Sequence, residues 1–145
     1  MAAMTAQETW DFLMEGTRTG HLATVRADGR PHVKPVWYEL SGAPGNFQLI
    51  LNTGADTVAG RNLRRDGRVT ISVDDAAPPY SFVLIEGTAE LSEDPADLLA
   101  VATRLAARYM GDVLAAEFGA RNAVPGELVV RVAPARVVAQ RAIAS

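Results

Sequence analysis

The chain has 145 residues and a formal net charge of −3, which favours one domain and argues against nonspecific nucleic-acid binding. It has no Cys and only two His, His21 and His32, so thiol chemistry, disulfides and an all-His metal site are excluded. The start carries no signal-peptide pattern and no apolar run reaches the ~20 residues of a membrane span, which with the missing Cys suits a cytoplasmic protein.

Thr5 and Glu8 form a capping box, and Trp10, Leu13 and Met14 follow at helical spacing, so a first helix is expected over about residues 5–18. "GHLATVRADGRPHVKPVWYEL" reads as two strands joined at Asp28-Gly29. In the second strand His32, Lys34, Val36 and Tyr38 share one face, and Val33, Pro35, Trp37 and Glu39 the other. "SGAPGN" is expected as a turn and "FQLILNT" as a buried third strand.

Asp56 is the expected cap of a short helix reaching about Arg65, ended by Asp66-Gly67. "RVTISVD" alternates as a strand, "AAPPY" is a rigid loop, and "YSFVLIEGTAEL" is a long strand with Gly87 as its expected bulge. Asp94-Pro95 opens a helix to about Tyr109, a shorter one covers roughly 112–119, and "ELVVRVAPARVVAQ" supplies a last strand. Six or seven mostly antiparallel strands with few crossover helices point to a single small barrel.

Two segments carry candidate chemistry. Arg61, Arg64, Arg65 and Arg68 fall at i, i+3, i+4 and i+7, which lines them on one face if the helix persists that far. Such a face is either solvated and paired with carboxylates, or part of an anion site at a helix start. In the second case Thr57 adds a hydroxyl, Asn62 an amide, and Arg61, nearest the start, the charge. The other segment is "PHVKPVWYEL". Pro35 removes a ladder donor, so its strand lies at an edge or bulge. Pro35, Val36 and Trp37 then either belong to a plain edge or line a slot for a flat ring. Trp37 is equally an anchor for a core or subunit contact. Lys34 is the sole Lys in the chain, a compact point charge suited to a carbonyl or phosphate. His32 reads as a half-exposed strand residue or as a contact to a polar ring edge.

Together these segments, with "LILNTGADTVAGRNLRRDGRVTISVDD", resemble the pyridoxamine 5′-phosphate oxidase-like flavin and deazaflavin proteins, above all the small actinobacterial coenzyme F420-dependent reductases. The resemblance covers about residues 8–110. It implies a six-stranded antiparallel split β-barrel with flanking helices, a homodimer, and two equivalent cofactor sites at the subunit interface. The ring would lie against Lys34, Pro35, Val36 and Trp37. The phosphate would sit at Asn52, Thr53, Thr57, Val58, Ala59, Arg61 and Asn62. Ala59 and Thr57 stand where that family often has basic residues. Tyr80 falls where it tends to place an aromatic near the ring or substrate. The implied reaction is hydride transfer from reduced F420 to a conjugated acceptor of enone, quinone or tetrapyrrole type. FMN is the alternative cofactor, and a non-enzymatic flavin or tetrapyrrole carrier is the alternative of another class.

Overall fold

The structure, a computed structural model, describes residues 2–145. In chain order the elements are β1 (Ala2–Ala3), α1 (Ala6–Met14), β2 (Gly20–Val25), β3 (Pro31–Val36), β4 (Glu39–Ala43), β5 (Asn46–Gly54) and α2 (Val58–Arg65), then β6 (Arg68–Asp74), β7 (Phe82–Ser92), α3 (Pro95–Met110), α4 (Asp112–Asn122) and β8 (Glu127–Arg141). The strands form one antiparallel sheet in the order β3-β2-β6-β7-β8-β5-β4, with β1 added to β8.

The mainly-β antiparallel architecture is the expected one, with eight strands rather than six. The main reason lies in "PHVKPVWYEL". The chain leaves β3 after Val36, and Glu39–Ala43 then pairs with β5 at the opposite end of the strand order. Ser41, Gly42 and Ala43, expected in a turn, therefore extend a strand. From the terminal strand β3, Lys34 donates to Thr53 on β5, the last strand but one at the other end, at 3.0 Å, so side chains close this corner where no ladder does.

The barrel interior is filled by alternate residues of the strands, among them Leu22, Leu51, Ile71 and Ile85, and by Tyr38 from the break between β3 and β4, all fully buried. Leu13 of α1 and Leu63 of α2 plug it. A second cluster packs Leu98, Val101 and Leu105 of α3 on Ile50 and Val129, on the outer face of β5 and β8. Arg131 of β8 pins the same helix through two 2.7 Å hydrogen bonds to Asp97. Gly87 takes the expected bulge: the β7–β8 register shifts there, and a Cβ would lie 2.3 Å from the Ala133 carbonyl oxygen.

Helix ends differ from expectation for local reasons. The Thr5–Glu8 box forms, but α1 stops at Met14, because Gly16 turns the chain with φ +58° and Arg18 folds back to donate to the Phe12 carbonyl at 3.0 Å. The cap of α2 is Thr57 and not Asp56: its Oγ1 accepts from the Gly60 amide at 3.1 Å. That helix ends at Arg65, so Arg68 sits on β6 and the four-arginine face does not form. Among the described residues no helix is long and apolar enough to cross a membrane, and no group of three His, Asp or Glu could hold a metal.

Candidate cofactor-binding site

An open depression of about 380 Å³ is lined by Thr19, Lys34, Pro35, Val36, Trp37 and Asn52. Its floor follows from the strand order. β3 is the terminal strand, so Pro35 faces no second ladder on its free side and the backbone beside it stays open. Val36 is buried beneath, while Trp37, at the break between β3 and β4, remains 38% exposed and stands as a wall. The indole is not loose, because it stacks on Tyr109 with centroids 4.9 Å apart and planes 6° from parallel.

From this depression a polar chain leads to the start of α2. Lys34 Nζ donates to Thr53 Oγ1 at 3.0 Å, and Thr53 Oγ1 lies 3.4 Å from Thr57 Oγ1. Thr57 in turn donates to the Gly54 carbonyl at 2.7 Å while capping the helix. The turn is tight: a Cβ on Gly60 would lie 2.1 Å from the Gly54 carbonyl oxygen. In the first turn the amide of Val58 has no intrahelical partner, as at any helix start. Burial pushes the Glu127 carboxyl above the ordinary glutamate value of 4.5, and the positive charge of Lys34 opposes that rise. One further group lies buried without a partner, outside the lining of the depression. His32 Nδ1 is the buried side-chain polar atom that lacks a hydrogen bond among the described residues, two positions before Lys34 on the same face.

Other expected contacts go elsewhere. Asn62 is buried, and its amide is spent inside the protein: Nδ2 donates to Thr24 Oγ1 at 3.0 Å and Oδ1 accepts from Arg65 at 3.3 Å. Ala59 is fully buried. Arg61 is exposed and folds back onto the Asp56 carbonyl. Arg64 pairs with Glu93, Arg65 also reaches the Val25 carbonyl, and Arg68 pairs with Asp66 at 2.7 Å. Those hydrogen bonds from Arg68 hold the Asp66 carboxyl down at about 2. Arg64 and Arg68 thus take the expected carboxylate partners, whereas Arg61 and Arg65 bond backbone carbonyls. Tyr80 does not line the depression. It sits in the loop before β7 with φ 60°, its amide bonded to the Ala77 carbonyl and its carbonyl to the Ile143 amide, both at 2.9 Å.

Thr19, Glu127 and Tyr109 were not among the expected site residues. A signal for Tyr109 exists in the sequence: it continues the buried stripe Leu98, Val101, Leu105 by one turn, and a Tyr ending such a stripe needs a hydrogen-bond partner. A larger groove, about 580 Å³, runs between the start of α1 and Pro134–Gln140, but Arg136 is its sole ionisable residue and it includes neither Lys34 nor Trp37. The smaller depression is the chemically furnished one.

The family model of pyridoxamine 5′-phosphate oxidase matches residues 6–141. The chain belongs to this family. Among solved structures, the conserved hypothetical protein Rv2991 from Mycobacterium tuberculosis is 30% identical with a TM-score of 0.80, over 98% of this chain and 89% of that one. An F420 reductase is 26% identical with a TM-score of 0.68, over 90% of this chain and 96% of the other. A FAD-binding protein from Mesorhizobium loti shares the fold at 22% identity and a TM-score of 0.65, covering 95% and 93%.

The site of this pyridoxamine 5′-phosphate oxidase family member fits a flat cofactor with a phosphate arm. Its volume lies in the usual range for small-molecule sites, roughly 300–1,000 Å³. A lone cation and an unpartnered ring nitrogen lie on β3, an aromatic wall stands just past its end, and the start of α2 lies beyond Thr53.

Proposed function

We propose that the chain is an oxidoreductase that holds reduced coenzyme F420 in the Lys34–Trp37 depression and reduces a conjugated small molecule of enone, quinone or tetrapyrrole type. The observation that carries this reading is the placement of Lys34, which lines the depression and at the same time bonds Thr53, one hydroxyl short of the Thr57 cap. A single side chain thus serves both the ring end and the phosphate end of an elongated anionic ligand.

When bound, F420 or FMN supplies the hydride chemistry. The chain's own residues bind and orient. Trp37 and Pro35 offer flat apolar surface to one side of a ring. Lys34 places a positive charge where it stabilises a phosphate or a ring carbonyl, and the Val58 amide offers a donor at the positive end of α2, joined by the Thr57 hydroxyl when it turns from the Gly54 carbonyl to the ligand. The resemblance also implies a second copy of the chain closing the open side of the depression and excluding water from it; the homodimer is part of this proposal.

The ranking of F420 over FMN is supported by the 26% identical F420 reductase. The arginines add no support for the longer, more anionic F420, because Arg64 and Arg68 are occupied by Glu93 and Asp66. That occupancy, with Ala59 and Thr57 at positions where basic residues were expected, favours a second reading: a carrier that binds a flavin, F420 or a tetrapyrrole without turnover.

Equilibrium titration of the purified protein with F420 and with FMN tests the reading. Tighter binding of F420 is expected, and F420 no tighter than FMN overturns the ranking. Oxidation of reduced F420 in the presence of a quinone, enone or biliverdin-type acceptor separates enzyme from carrier: binding with no turnover of any of them assigns the carrier role.

A further inference from the structure

Tyr109 belongs to none of the cofactor-binding positions considered above, yet it touches both flanks of the depression. Its ring backs the Trp37 indole at 4.9 Å and 6°. Its hydroxyl donates to the Arg18 carbonyl at 2.7 Å and accepts from the Tyr38 amide at 3.2 Å. Arg18 precedes Thr19 and Tyr38 follows Trp37, and both Thr19 and Trp37 line the depression. One side chain therefore ties together two segments that the sheet leaves unconnected, since neither Arg18–Thr19 nor Trp37–Tyr38 lies in a strand.

The support behind Tyr109 is stiff. Arg108, next to it, donates to the carbonyls of Leu13 at 2.9 Å and Tyr38 at 2.5 Å, with its guanidinium 4.8 Å from the Tyr38 ring. The Tyr38 hydroxyl, raised to about 12 by burial, stays neutral and donates to the Leu13 carbonyl at 2.6 Å. Leu98, Val101 and Leu105 fasten α3 itself to β5 and β8.

We propose that Tyr109 is a positioning residue: its ring sets the plane of Trp37 and its hydroxyl sets the spacing between Trp37 and Thr19, so that α3 determines the width of the slot a flat ligand enters. The inference rests on the depression being the ring site, but its first test needs no cofactor. In a Trp10→Phe background Trp37 is the remaining Trp of the two in the chain, and its fluorescence reports its packing. Tyr109→Ala, in a protein that still unfolds cooperatively, is expected to red-shift Trp37 emission and steepen its quenching by acrylamide. Tyr109→Phe keeps the stack and is expected to restore the emission. In titrations with F420, Tyr109→Ala loses about tenfold in affinity, the worth of a good aromatic stack, while Tyr109→Phe loses less. Parental emission and quenching in Tyr109→Ala overturn the proposal. If that variant does not fold, Tyr109→Phe decides it: parental F420 affinity contradicts a role for the hydroxyl, and a reduced affinity with unchanged emission supports it. Failure of the parent itself to bind F420 or FMN removes the cofactor reading and leaves the fluorescence comparison to judge Tyr109.

Discussion

Lys34 is the residue on which the proposed site turns, because it serves the depression and the start of α2 together. Replacing it by Ala removes a charge-assisted bond of ~1.5–3 kcal/mol, about ten- to a hundredfold in Kd for F420 or FMN. The binding titration checks this, and the loss should be much smaller for a phosphate-free analogue such as riboflavin. Glu127 makes the opposite kind of prediction. Burial raises its pKa in the folded chain, so the unfolded chain ionises first and stability is lost as pH rises from the ordinary glutamate value of 4.5 through the raised one. Glu127→Gln should therefore have a higher Tm than the parent at neutral pH, with the difference vanishing below the ordinary glutamate range. A pH series of melting curves reads it out. At this scale strand alternation put His32 and Lys34 on one face, while a ligand beside Lys34 and Trp37 was implied only by the family resemblance. Asn62 was not, because an amide on a helix looks the same in sequence whether it faces a ligand or, as here, bonds Thr24 across the barrel.

At the scale of the element, α2 is built to lie hard against the Gly54–Thr57 turn. Gly60→Ala puts a methyl 2.1 Å from the Gly54 carbonyl oxygen and 2.8 Å from that of Ala55, both backbone atoms. The helix must shift, at a cost of ~1–3 kcal/mol as for other overpacked sites, and binding should weaken along with stability. Thr57→Ala is milder, about 1 kcal/mol for a lost cap, and leaves the turn in place. Chemical denaturation separates the two. Periodicity located every helix and most strands, since Val69, Ile71 and Val73 or Leu98, Val101 and Leu105 alternate or repeat without interruption. It missed the cap of α2, where Asp56 and Thr57 are both good caps and only the backbone decides. It also missed the break at Trp37–Tyr38, because inward and outward residues keep alternating through it, with Tyr38 and Val36 both buried. The pairing of Glu39–Ala43 with β5 is a long-range choice that no local pattern announces.

For the whole molecule, the family membership over residues 6–141 places the sheet and its helices in one frame. The open side of the depression, the exposed Val33 on the outer face of the edge strand β3, and the half-exposed Trp37 belong to the surface that the proposed second copy covers. Sedimentation should therefore give twice the chain mass of 15.4 kDa, and Val33→Asp should shift it toward the single-chain mass. A parental monomer at micromolar concentration that binds F420 as tightly as expected would separate the site from dimerisation. The most direct measurement is a crystal structure of the protein with F420 bound. The account predicts the ring beside Trp37, with Lys34 and Thr57 within hydrogen-bond distance of the phosphate. A ring seated anywhere else, or a depression filled by side chains of the assembled protein, would contradict it.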